Sequence, residues 1–270
     1  MEKAAAALDP VRYGLFCATY ASMRVIDDFV DDEFLAQPAP RRAADRPSAR
    51  AVVEGWRTGA MAALTTGAAP AKGDRFQATL AALAACHGVA VLDPAPWDKL
   101  AGAMQRDIDE RPMPDWTAFL DYAEGATAAP AAVFIEILAL RPAAGGRLAS
   151  ALEGPAVARI RNAAILLYLV HIMRDLAKDA AKGAVLLTLP ESLFQEIGAD
   201  ATSFVARAAA EPALVADVRA RVADYAGRFL LPALGELTAL DAVLAPGDSA
   251  ILRGLCEPYI ERYETFAAGL

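Results

Sequence analysis

The 270-residue sequence predicts an all-α chain folded as one domain, and three observations carry that reading. Hydrophobic residues make up 56% of the chain with alanine and leucine dominant, while aromatics reach only 7%, a balance that suits helices packed on helices. The apolar positions recur with helical periodicity between Pro- and Gly-rich breaks. No internal repeat and no segment polar enough to divide the chain interrupts it, so residues 1–270 read as a single domain with ample core.

Asp9 and Pro10 supply N-cap and first-turn signals for a helix over residues 10 to about 33. "AQPAPRRAADRPS" reads as a Pro- and Arg-rich loop. Helical periodicity resumes over 48–66 and 74–87, joined by the linker "TTGAAPAKGD". Pro94 and Pro96 precede a helix through "WDKLAGAMQRDIDE", and "RPMPD" separates it from a long stretch beginning at Trp116. The loop "RPAAGG" precedes the longest helical run, about Leu148 to Lys182, which Gly183 closes. "TLPESLFQEIG" reads as a loop and short helix, and at least two more helices, about 212–236 and 247–269, finish the chain.

The formal net charge of −8 opposes a phosphate backbone, and no Lys/Arg run carries interleaved aromatics, so nucleic acid is excluded as a partner. Cys17, Cys86 and Cys256 are far apart and outside any C-x-x-C pairing, which reads as reduced, mostly buried thiols. "MEKAAAALDP" has no signal-peptide pattern, and a cytoplasmic address is the expectation. The longest apolar runs, 128–140 and 163–173, are too short to span a bilayer and read as core helices.

Two acidic stretches stand out against this apolar background. In "TYASMRVIDDFVDD", Tyr20, Arg24, Asp27 and Asp31 are spaced by four, three and four, which puts them on one helical stripe roughly 60° wide. Asp27 and Asp31 are one turn apart, a spacing that suits two carboxylates gripping a hard divalent cation and that is repulsive without one. Asp28 and Asp32 fall off that stripe as solvated helix-end charges. In "YLVHIMRDLAKDAAKG", His171, Asp175, Lys178, Asp179 and Lys182 share an arc of about 100°.

Each stretch alone has a bland reading, an acidic helix end for the first and a surface helix laced by pairs such as Asp175 with Lys178 for the second. Together they read as two helices facing each other across a cavity. Metal ions held by Asp27, Asp31, Asp175 and Asp179 would bind a diphosphate, with Arg24, Arg174, Lys178 and Lys182 on its oxygens. That arrangement would let an acidic protein recruit an anion.

At these residues the sequence resembles the squalene/phytoene synthase family, the head-to-head trans-prenyl diphosphate synthases. "TYASMRVIDDFVDD" is similar to the family's Tyr-x-x-x-Arg-x-x-Asp-x-x-x-Asp segment, and "IMRDLAKD" to its second motif, carried by Arg174, Asp175 and Asp179. Asp107 and Tyr122 resemble a weaker middle pairing. The resemblance implies a class I isoprenoid synthase bundle with a central apolar cavity, with Mg²⁺ (Mn²⁺ as the other candidate) bridging the aspartates to diphosphate. It implies an enzyme that ionises a C15 or C20 prenyl diphosphate and condenses two of them head to head, giving a presqualene/squalene- or phytoene-type product. Tyr20, Arg24 and His171 are the candidate catalytic residues, with ordinary core packing as the other reading for Tyr20 and a hydrogen-bonded helix histidine as the other reading for His171. NADPH use stays open, because squalene synthases reduce their intermediate without a dinucleotide fingerprint.

This sequence departs from the family at several points. The N-terminal Ser-Phe-Tyr-like segment does not precede the first motif, and His171 stands where an Asn is common. "KGAVLLTLP" lacks the Arg and Tyr of a Gly-Arg-Ile-Tyr-Leu-Pro-like segment, and "GATAAPAA" has alanines for glycines. Because these changes fall on second-substrate and diphosphate contacts, two other readings stand beside condensation. One is a single-substrate terpene cyclase or prenyl transfer to a non-prenyl acceptor; the other is a non-catalytic lipid- or protein-binding member.

The remaining conspicuous residues have plainer expectations. Asp107 and Asp109 read as solvated helix-end charges, with Asp107 kept as a weak site candidate, Trp56, Trp97 and Trp116 as packing residues, and Arg41 and Arg42 as a solvated loop pair that could assist at a membrane surface. Transient membrane contact would suit greasy substrates, although no amphipathic basic helix commits the chain to it.

Overall fold

A computed structural model describes residues 5–184 and 187–268. The chain is all-α as the sequence predicts. Helix α1 (Pro10–Asp28) starts where Asp9 accepts hydrogen bonds from the amides of Val11 and Arg12, and it runs into a π-helical turn, π1 (Phe29–Leu35). Helices α2 (Ala39–Thr66), α3 (Arg75–Cys86) and α4 (Ala95–Ile108) follow. Helix α5 (Trp116–Ala123) continues through a second π-turn, π2 (Glu124–Ala128), into α6 (Ala129–Leu138). A two-strand antiparallel hairpin, β1 (Leu140–Pro142) and β2 (Leu148–Ser150), leads to α7 (Val157–Ala180). The chain finishes with α8 (Glu191–Gln195), α9 (Ala201–Ala208), α10 (Pro212–Asp241) and α11 (Pro246–Ala267).

Helix α7 is the central element, packed along α10 and touching α6, π2 and α11, while α1 lies against α3 and α6. Two tryptophans fix α1 in the middle of the first motif. The indole N–H of Trp56 donates to the Ser22 carbonyl at 2.8 Å, and that of Trp97 donates to Ser22 Oγ at 3.0 Å. Both rings are buried, so the polar N–H groups are satisfied at Ser22, between Tyr20 and Arg24. The packing role expected for these two residues is what the fold uses. Trp116 likewise packs, stacked on Tyr225 with centroids 3.6 Å apart.

Four sequence expectations are corrected. "PAPRRAADRPS" is largely helical, because α2 starts at Ala39 and keeps Pro47 inside it. The cost of an internal proline is offset by long-range pairing: Arg42 donates to both oxygens of Glu110 at 3.0 and 2.9 Å, and Arg46 donates to Glu110 and to the Ile108 carbonyl. Arg42 is therefore buried rather than solvated, whereas Arg41 is exposed and pairs with Asp45. Leu148 begins a strand, and α7 starts only at Val157, after Gly154 (φ +75°) and Pro155. The longest helix is α10, at 30 residues. Cys86 and Cys256 are buried and free, and Cys17 is exposed.

Candidate functional site

Helix α1 carries the first group of residues. Arg24 donates to Asp27 at 2.6 Å and lies 2.5 Å from Asp28, so the cation of this motif is already paired inside its own helix. Tyr20, stacked on Phe16 with centroids 5.4 Å apart, lines a cavity of about 180 Å³ together with Arg24, Asp27 and Phe134. A larger cavity of about 380 Å³ lies between α6, α7 and α11, and Arg24, Ala126, Pro130 and Phe134 border both.

A third cavity, about 300 Å³, brings the two acidic stretches together. Asp31 and Asp32 face it from π1, and His171, Asp175, Lys178, Asp179 and Lys182 face it from α7 and the turn beyond. It meets the 380 Å³ cavity at Tyr168 and His171, which line both. Among the described residues, Asp31, Asp32, Lys178, Asp179 and Lys182 make no side-chain hydrogen bond or ion pair. Charges left without partners around a concave space point to a ligand that supplies them.

Asp32 reaches this cavity because the chain is π-helical there. A π-turn winds more residues per turn than an α-helix, so the 100° wheel that sets Asp32 aside does not apply beyond Asp28. The carboxyl of Asp31 is open to the cavity yet ringed by protein; desolvation, then Asp27 and Asp32, raise its pKa to about 7. Desolvation also raises Asp27, against the pull of Arg24. A divalent cation would relieve both.

Asp107 corrects another expectation. It is enclosed at the end of α4, accepts a 2.9 Å hydrogen bond from the Tyr122 hydroxyl, and is raised to about 8 by desolvation with Asp31 and Asp27 contributing. Asp109 is also not solvated, its side chain being 8% exposed between Arg50 and Arg111.

On α7, Arg174 donates to both oxygens of Asp175 at 3.0 and 2.7 Å and to Nδ1 of His171 at 3.0 Å. The guanidinium holds Asp175 below the usual carboxylate range, and partial burial with Arg174 alongside lowers His171. The bland pairings of Asp175 with Lys178 and Asp179 with Lys182 do not form. Arg174 borders none of the three cavities and interacts with Tyr259 of α11, which lines the 380 Å³ one.

Sequence reasoning passed over Tyr168, Asp32 and Tyr259. Tyr168 lies three residues before His171, on the same helical stripe, and its hydroxyl interacts with Thr188 and Tyr122. Its place was readable; that of Tyr259, brought in from the far end of the chain, was not. In "KGAVLLTLP", Val185 and Leu186 lie outside the described residues.

Among the described residues, no three His, Cys, Asp or Glu side chains converge as a ready metal cage. The donor set still fits Mg²⁺, which usually takes one or two carboxylates and fills its octahedron with water and substrate phosphates rather than an all-protein cage. No helix among the described residues is long and apolar enough to cross a membrane.

Comparison with solved structures finds a similar fold in a dehydrosqualene synthase crystallised with a ligand, at a TM-score of 0.65 and 15% sequence identity, over 96% of this chain and 77% of that one. That likeness makes the bundle an all-α isoprenoid synthase fold. A search of curated proteins found no match. The squalene/phytoene synthase family profile matches residues 3–264, nearly the whole chain, and the protein belongs to that family.

Proposed function

We propose that the protein is a divalent-metal-dependent prenyltransferase that ionises a C15 or C20 prenyl diphosphate, and that its default chemistry is head-to-head condensation of two such substrates. One observation carries this reading: unpartnered carboxylates and lysines from both motifs line a single cavity that continues into apolar space. Family membership supports it.

Asp31, Asp175 and Asp179 would hold Mg²⁺ against the diphosphate, with Asp27 behind them. When bound, the metal supplies Lewis-acid charge that stabilises the negative charge developing on the leaving group. Lys178 and Lys182 add hydrogen bonds to its oxygens, with Arg174 close by. Ile160, Ala163, Leu167 and Leu252 wall the adjoining space with groups that cannot capture an allylic cation, and they keep water from it. Tyr20 and His171 border the apolar chambers at their polar ends.

A single-substrate reaction is the second reading, favoured by the chamber beside Tyr20. Among the described residues, Arg24 is the sole basic one lining that chamber, and it is already paired with two aspartates.

The test is incubation with farnesyl and geranylgeranyl diphosphate, with and without Mg²⁺, following pyrophosphate release and product mass. Metal-dependent release that Asp27→Ala or Asp175→Ala abolishes is expected, and a squalene- or phytoene-sized product selects condensation. A smaller terpene or a prenylated acceptor selects the second reading, and no release from either substrate would sink both.

A further inference from the structure

The outward face of α10 is almost free of charge. Arg228, Leu231, Pro232, Gly235, Thr238 and Ala239 are all exposed and share an arc of about 120°, and Ala242 and Val243 continue it into the turn beyond. Leu231 is 77% exposed, more than any other large hydrophobic side chain among the described residues. Arg228 is the one charge on this face, and its partner among the described residues is the ring of Tyr225. Glu236 is turned away onto α7, where it accepts from the amides of Asn162 and Ala163. In a chain of net charge −8, a face about 20 Å long without an exposed carboxylate is a place where two copies can meet.

A hollow lies on the same face. This cavity of about 390 Å³, separate from the three around the acidic motifs, is lined by Leu152, Glu153 and Ala158 on one side and by Gly235, Ala239 and Val243 on the other. Helices α7 and α10 run antiparallel, since Asn162 meets Glu236 and Met173 meets Arg219, so Glu153, just before α7, lies toward the C-terminal end of α10. The Glu153 carboxylate is exposed and makes no ion pair among the described residues. A protruding leucine, a hollow and two unpaired opposite charges thus lie along one helix.

We propose that this face pairs with the same face of a second copy of the chain, the two α10 helices crossing antiparallel about a two-fold axis at Gly235. Leu231 stands four residues before Gly235 and Ala239 four residues after it, so the axis brings Leu231 of each copy over the hollow of the other. Arg228 stands seven residues before Gly235, so it comes opposite Ala242, at the end of the helix where Glu153 of the second copy lies. The interface then seats two leucines in apolar hollows and joins two Arg228–Glu153 pairs, closing on itself as a symmetric dimer. A Cβ built at Gly235 meets no neighbour within 4 Å, so nothing in its own chain demands a glycine there; on the axis it lets the two backbones approach.

The test is sedimentation velocity on the full chain over a range of concentrations. Wild type is expected to sediment at twice the monomer mass, and Leu231→Ser should weaken the association about tenfold or more, because each dimer loses two buried leucines. Arg228→Glu and Glu153→Arg should each weaken it, and the two together in one chain should restore it, since the reversed pair forms again across the axis. These substitutions alter exposed side chains, so the dilute variants should melt with dilute wild type, which separates lost pairing from lost folding. A wild type that stays monomeric up to about 100 μM overturns the pairing, and vesicle binding by that monomer would assign the face to a lipid surface instead. A dimer indifferent to Leu231→Ser and to both reversals also overturns it, because its interface lies elsewhere.

Discussion

The Tyr122 hydroxyl donates a 2.9 Å hydrogen bond to Asp107, whose carboxyl lies close enough to Asp27 and Asp31 to feel their charge. A third carboxyl thus sits behind the first motif. Desolvation raises its pKa from 3.8 to about 8, and that of Asp31 to about 7. Between the unfolded and folded values the native state binds more protons, so raising the pH through that window destabilises the metal-free protein. Melting temperature should fall from about pH 5 to about pH 8, and Asp107→Asn, which still accepts from Tyr122, should flatten the decline. Parallel slopes for the two proteins in thermal melts would refute this account.

Asp31→Asn should act in opposite directions on stability and activity. It removes a charge that desolvation and its neighbours Asp27 and Asp32 disfavour, so the metal-free variant should melt higher than wild type above pH 7, the value near which Asp31 titrates. It also removes an oxygen that the proposed reading assigns to the metal, so on that reading Mg²⁺-dependent pyrophosphate release should be lost. The two effects are checked by metal-free melts and by a pyrophosphate assay on one preparation.

What the sequence disclosed and what it hid follow from the range of the interactions involved. The helix start at Pro10 was readable because capping and proline signals act within a few residues, and the starts expected near 212 and 247 fall within a residue of Pro212 and Pro246. Helix α2 was hidden, because Pro38, Pro40 and Pro47 read as a loop until Glu110 and Asp109 arrive from about sixty residues away to pair with Arg42, Arg46 and Arg50. The two motifs' stripes were legible at Asp31, Asp175 and Asp179, which share a cavity. Asp32 was not, since a regular wheel fails across π1. Asp107 looked solvated because its burial depends on Tyr122, fifteen positions later.

Lys178→Ala and Lys182→Ala each remove an unpaired cation from the cavity shared with Asp31. A charged hydrogen bond of about 1.5–3 kcal/mol corresponds to a rise in KM of about tenfold or more, if the contact is made to the diphosphate. Because neither lysine has a partner among the described residues, thermal stability should stay near wild type. Steady-state kinetics on farnesyl diphosphate provides the check, and an unchanged kcat/KM in both variants would remove the lysines from the site.

Gly125 shows how closely π2 depends on its neighbour. A Cβ built there would lie 2.4 Å from the carbonyl oxygen of Lys99 and 3.0 Å from Cβ of Ala103, so backbone of α4 blocks it rather than a flexible side chain. Gly125→Ala must push π2 away from α4, at a cost of about 1–3 kcal/mol. That displacement would carry Ala126 with it, a residue that borders both apolar chambers, and activity should fall along with stability. Gly102 on α4 is the control. No neighbour lies within 4 Å of its Cβ position, so Gly102→Ala should stabilise the helix by up to ~1 kcal/mol. Melting the two variants beside wild type should separate them in opposite directions, at about 2–4 °C per kcal/mol. Equal melting temperatures would mean that π2 has slack at this contact.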